Sequence, residues 1–191
     1  MLELRLKSTA VRLDFSFFAV AALFLLTDET GFGMLSLYAC AAHELSHLAA
    51  MKLFGADVSA ITFYGAGIRI SSENTETLPF FSQMTIYLAG CAVNFLLAAV
   101  FFLAGDLRIS AINLFIGIFN LLPLGTLDGA NIVKLAAIRF FPPENVDNVM
   151  KICAVISTIA VAAAAVLFGG RASFSLIATA VYFVFVCSRE L

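Results

Sequence analysis

Two histidines occur in the 191 residues, and they stand four apart in His43-Glu44-Leu45-Ser46-His47. On a helix, residues four apart share a face, so both imidazoles can reach one metal ion. Neutral imidazole nitrogen is a zinc donor at about 2.0–2.1 Å. Glu44, one residue on, stands beside such an ion, where a carboxylate can take a proton from an attacking water. Two histidines placed at random fall four apart in roughly 1% of arrangements, and requiring Glu at the second position makes the coincidence rarer still. The bland alternative is a pair of core histidines satisfied by a glutamate. The setting weighs against it: the stretch from Gly33 to Phe54 is otherwise largely apolar, and ionisable groups inside a membrane span cost several kcal/mol unless they have a task.

Two imidazoles leave a zinc site incomplete, because catalytic zinc takes three protein ligands and keeps one position open. With no third histidine, the remaining ligand is an Asp, Glu or Cys. Asp128 is a candidate, set in Asn120-Leu121-Leu122-Pro123-Leu124-Gly125-Thr126-Leu127-Asp128-Gly129. Pro123 and Gly125 break the helical pattern there, and broken backbone at membrane depth is tolerated where it lines a cavity. Asp128 also reads as the N-cap of a helix running on through Ile132. Cys40, one turn before His43, could approach the same ion, but it reads more simply as packing, as do Cys91, Cys153 and Cys187. Asn94 and Asn120 are amides in apolar stretches, a common means of tying helices together.

The elements that must carry these residues are apolar and long. Of the chain, 62% is hydrophobic and 13% charged, about half the charge usual for a soluble domain. Six spans are expected: Leu13 to Thr27, Gly33 to Phe54, Pro79 to Ala104, an interrupted Ile109 to Phe141, Met150 to Phe168, and Ser173 to Cys187. The basic start (Arg5, Lys7, Arg12) resembles a signal peptide, but no small-x-small site follows the first apolar run, so it reads as a retained span. With both termini cytoplasmic, Arg5, Lys7, Arg12, Lys52, Arg69, Lys134, Arg139, Lys151 and Arg189 fall inside, and only Arg108 and Arg171 outside. Val58 to Ile70, β-branched and aromatic around Gly65-Ala66-Gly67, predicts a short hairpin at the cytoplasmic interface or in a protein-lined cavity. The net charge of −2, without a basic patch, argues against nucleic acid as a partner.

The chain resembles the site-2 protease family of intramembrane zinc metalloproteases. That family pairs H-E-x-x-H on one membrane helix with N-x-x-P-x-x-x-L-D-G on a later one, and both stand here in that order. Its A-G-P-x-x-N element is matched by Ala89-Gly90-Cys91-Ala92-Val93-Asn94, with Cys91 in place of proline. The match covers roughly residues 33–130. The resemblance implies one Zn²⁺ per chain on His43, His47 and Asp128, with Glu44 as base. It implies that Asn120, and more weakly Asn94, contacts substrate or the oxyanion, and that the hairpin can pair with an unfolded substrate strand. Among subgroups the chain looks most like the bacterial sporulation type, which processes a membrane-associated sigma-factor precursor.

The resulting expectation is an all-α polytopic membrane protein of about six transmembrane helices with a small membrane-associated β-hairpin, residues 1–191 forming one domain without PDZ or CBS modules. It sits in a bacterial cell membrane and hydrolyses a peptide bond in or beside a membrane-embedded protein segment. Its partners are the bilayer, a membrane or membrane-associated protein substrate and a membrane regulatory protein. Two other classes fit the same residues: a silent membrane scaffold and a metal transporter. The intact Glu44 speaks against the first, and the single broken region without an internal repeat against the second.

Overall fold

The structure is a computed structural model, and it describes residues 2–6, 9–28, 30–65 and 67–168. The chain forms two compact units, Met1–Ile118 and Phe119–Leu191. The expected sixth span, Ser173 to Cys187, lies outside the described residues.

The first unit carries a four-stranded sheet in the order β1-β2-β3-β4, with β1 Leu2–Leu6, β2 Thr9–Leu13, β3 Val58–Tyr64 and β4 Gly67–Ser72. The expected hairpin is present as β3–β4, antiparallel from Ile61↔Ile70 to Tyr64↔Gly67. The strands β1 and β2 correct the all-α expectation, which treated these residues only as the approach to a span. Leu2-Glu3-Leu4-Arg5-Leu6 alternates apolar and polar, the two-residue period of a strand. It pairs antiparallel with β2, and Glu3 sits opposite Arg12. Arg5 (3.3 Å) and Arg12 (3.2 Å) both contact the Glu3 carboxylate and hold its pKa below the ordinary value. Strand β2 pairs parallel with β3, from Ala10↔Ala60 to Leu13↔Phe63. A parallel pair needs a long crossover, and here α1 (Phe15–Thr27) and α2 (Phe32–Leu53) supply it.

Local signals set the helix ends. Asp14 caps α1 by accepting from the Ser16 N–H (2.9 Å) and hydroxyl (2.6 Å). A Schellman closure ends α2: Gly55 has φ 72° and Ala56 N–H donates to Met51 O (2.8 Å). The next helix, α3 (Phe80–Leu103), ends the same way, with Gly105 at φ 84° and Asp106 N–H on Phe101 O (2.9 Å). Asp106 then accepts from the N–H groups of Arg108 and Ile109 (both 3.1 Å), starting α4 (Leu107–Asn120). Helix α4 runs close against α3: a Cβ on Gly117 would lie 2.8 Å from the Phe95 ring. Helix α3 continues unbroken through Cys91, where the family pattern has proline.

In the second unit the long interrupted run resolves into the end of α4, an irregular stretch 121–127, and α5 (Asp128–Phe140). Gly125 has φ 51°. Leu124 is fully buried among Phe119, Leu122, Leu127 and Ala154. Pro142 and Pro143 separate α5 from α6 (Pro143–Phe168).

Among the described residues, two helices are long and apolar enough to cross a membrane: α3, and Pro143–Ala163 of α6. Helix α1, at 13 residues, spans only about 20 Å against a hydrocarbon core of about 30 Å. In α2, His43, Glu44, His47 and Lys52 dilute the apolar character that its 22 residues would otherwise give. Several polar side chains are buried, and many large apolar ones face outward. Gln83, Asn94, Ser110 and Asn113 are buried, while Leu96, Phe102, Leu103, Ile152, Ile156 and Ile159 are exposed. Apolar outside and polar inside points to a membrane protein.

Candidate metal centre

The site is built where α2 lies along α3. His43 and His47 share one face of α2, 3% and 7% exposed, with ring centroids 4.8 Å apart and planes at 76°. Opposite them, α3 presents Ile86, Gly90 and Asn94, also four apart and all buried. Each of the three has a separate use. The Ile86 carbonyl lies 2.7 Å from His47 Nδ1, and Asn94 Oδ1 lies 2.6 Å from His43 Nδ1. Gly90, midway, keeps the space for the rings: a Cβ there would lie 2.5 Å from His43 Cε1 and Nε2 and would collide with His47 Nε2. The two helices run antiparallel, so the earlier histidine meets the later residue of α3.

These contacts fix the ring tautomers. A backbone carbonyl can only accept, so His47 Nδ1 carries a hydrogen and donates to Ile86 O. Asn94 Nδ2 donates to Asn113 Oδ1 (2.9 Å) and Ala39 O (3.3 Å), which turns its oxygen toward His43. His43 Nδ1–H therefore donates as well. In the neutral rings both Nε2 atoms are then lone-pair donors, and they lie 3.2 Å apart. Two nitrogens on a tetrahedral zinc at about 2.05 Å are separated by about 3.3 Å. The donor chemistry and the spacing both fit a zinc ion. A backbone carbonyl, as at His47, is a usual outer partner of a metal-ligating imidazole, and the Asn94 amide oxygen gives His43 an acceptor in the same place.

Glu44 is half-buried on α2, beside His43 in sequence. Asp128 opens α5 in the second unit and is half-buried. It begins that helix instead of capping it: Leu127 occupies the N-cap and makes no side-chain cap bond. Gly129 follows because its backbone is pressed against the Leu121 and Leu122 carbonyls, where a Cβ would clash. Asn120 is the half-buried last residue of α4. Asn94 is fully buried, and its described partners are His43, Ala39 and Asn113. Cys40 is exposed.

Three participants were not singled out from sequence. The Ile86 carbonyl is backbone and leaves no residue signature. Gly90 was legible as part of a motif, without its task. Asn113 carried the available signal of a lone amide in an apolar helix.

No protein-family model and no curated protein sequence matches the chain. Among solved structures it is similar to the site-2 protease from Methanocaldococcus jannaschii, with a TM-score of 0.67 at 19% identity, over 99% of this chain and 94% of that one. At that identity the likeness is one of fold.

Proposed function

We propose that the chain is an intramembrane zinc metalloprotease. The observation that carries this reading is the pair of Nε2 atoms 3.2 Å apart, each ring locked from its Nδ1 side by a hydrogen-bond acceptor on α3. Glu44 within the same H-E-x-x-H and the likeness of fold to a site-2 protease support it.

Asp128 is the proposed third ligand. A carboxylate in an apolar run is costly unless paired with a cation, and Asp128 is not the N-cap of α5. His43, His47 and Asp128 would hold the zinc ion, and the chemistry it would supply there is Lewis acidity toward a water molecule and a peptide carbonyl. Glu44 takes the water's proton at a carboxylate oxygen and returns it to the departing amide nitrogen. Asn120 is placed in the reading as a contact to substrate or to the developing oxyanion.

The proposed substrate is a protein segment in or beside the bilayer, locally extended because an intact helix hides its carbonyls in hydrogen bonds. The sporulation-type resemblance rests on the motifs alone. It makes a membrane-associated transcription-factor precursor the first substrate class to test. Cytoplasmic termini belong to the same reading: on six alternating spans they place nine of the eleven Lys and Arg inside.

Glu44→Gln separates this reading from a silent scaffold. The variant is expected to keep zinc and fold but lose cleavage of a membrane-segment substrate by at least about 100-fold, since an amide cannot serve as base. Undiminished cleavage would place the base elsewhere.

A further inference from the structure

We infer that Asn113, on α4, is a positioning residue that holds His43 in its metal-binding tautomer by acting through Asn94. The inference rests on the zinc reading above.

An asparagine amide has nearly the same shape when turned by 180°, so its buried orientation depends on its partners. Turned over, Asn94 would offer Nδ2 to His43 Nδ1. His43 would then carry its hydrogen on Nε2, converting the atom aimed at His47 Nε2 into a donor unable to bind a metal. Two acceptors oppose that flip, Asn113 Oδ1 at 2.9 Å and Ala39 O at 3.3 Å. The shorter contact is to Asn113. After a flip, Asn94 Oδ1 would face both oxygens in a site where Asn94 is 0% and Asn113 2% exposed, and such repulsion is strong where water is excluded.

Asn113 is itself held. Its Nδ2 donates to Ile109 O one turn earlier on α4, at 3.0 Å. Turning Asn113 would set its oxygen against that carbonyl and its Nδ2 against the Asn94 amide hydrogens. The chain Ile109 O, Asn113, Asn94, His43 thus carries one donor–acceptor direction across α4, α3 and α2. Ser110, also buried, ties α4 to α3 by donating to Ala98 O (2.8 Å). That contact maintains the packing of the two helices without reaching the histidines, so the roles of packing and positioning can be separated.

The test uses the full chain in detergent, labelled with ¹⁵N in its histidine rings. Metal-free protein is observed at about pH 8, above the ordinary imidazole range, and zinc affinity is measured by competition with a chelator. In the wild type both rings are expected as Nδ1–H tautomers. In Asn113→Leu, an Nε2–H population should appear on one ring only, and zinc affinity should fall about 10- to 100-fold, the usual cost of losing an outer contact to a metal ligand. Asn113→Ala serves as the second variant where Leu does not fold. Wild-type tautomers in a folded Asn113 variant, whether zinc affinity is kept or lost, would overturn the relay and leave Asn113 as packing. A wild type that takes up no zinc would defeat the proposed function, while the ring pattern would still decide the relay.

Discussion

His43 and His47 need more than correct spacing to act as ligands. Their Nδ1 atoms are held by Asn94 Oδ1 and Ile86 O, and Gly90 leaves the volume in which their Nε2 atoms converge. Gly90→Ala tests that arrangement. Its Cβ would fall 2.5 Å from His43 Nε2, and buried backbone on α3 cannot retreat cheaply. The expected outcome is a loss of zinc affinity of at least about tenfold, on the scale of disturbing an outer contact, with helix content unchanged by circular dichroism. Wild-type affinity in that variant would mean that the rings do not occupy this space. At this scale the sequence showed the histidine pair, because its chemistry and period are local. It did not show what locks the rings. One lock is a main-chain carbonyl, and the other is an amide whose use depends on which helix lies opposite.

Among the elements, the runs that form α2 and α3 were legible because their apolar stretches are long, and Gly55 and Gly105 at positive φ follow them. The strands β1 and β2 were not. Five-residue strands carry a weak signal, and the basic residues between Leu4 and Leu13 read equally well as a flank to a span. Pairing β2 with β3 needs partners some 50 residues apart, Ala10 with Ala60, which no local pattern reveals. The break before α5 was legible from Pro123 and Gly125, and the structure adds that Asp128 lies inside the helix start and Leu127 at the cap. This bears on Asp128→Asn. As a ligand, Asp128 cannot be replaced by a neutral amide, so zinc affinity should drop by at least about tenfold and cleavage should cease. As a first-turn residue answering only the helix dipole, the same change would cost about 0.3–1 kcal/mol of helix stability and leave zinc binding intact. Isothermal titration with zinc distinguishes the two.

For the molecule as a whole, composition already indicated the bilayer, and the structure gives the physical form of that statement. Polar side chains such as Asn94, Asn113 and Ser110 are buried, whereas Leu, Ile and Phe cover the outside of α3 and α6. In lipid, helices gain little from hiding apolar surface, so buried amides and close glycine contacts hold them together. The centre proposed here joins that interior to a metal ion, and X-ray absorption at the zinc edge of the purified, zinc-loaded chain tests it most directly. About one zinc per chain is expected, surrounded only by nitrogen and oxygen at about 2.0–2.2 Å, with the scattering signature of two imidazoles. A sulfur neighbour at about 2.3 Å, fewer than two imidazoles, or no tightly held zinc would contradict it.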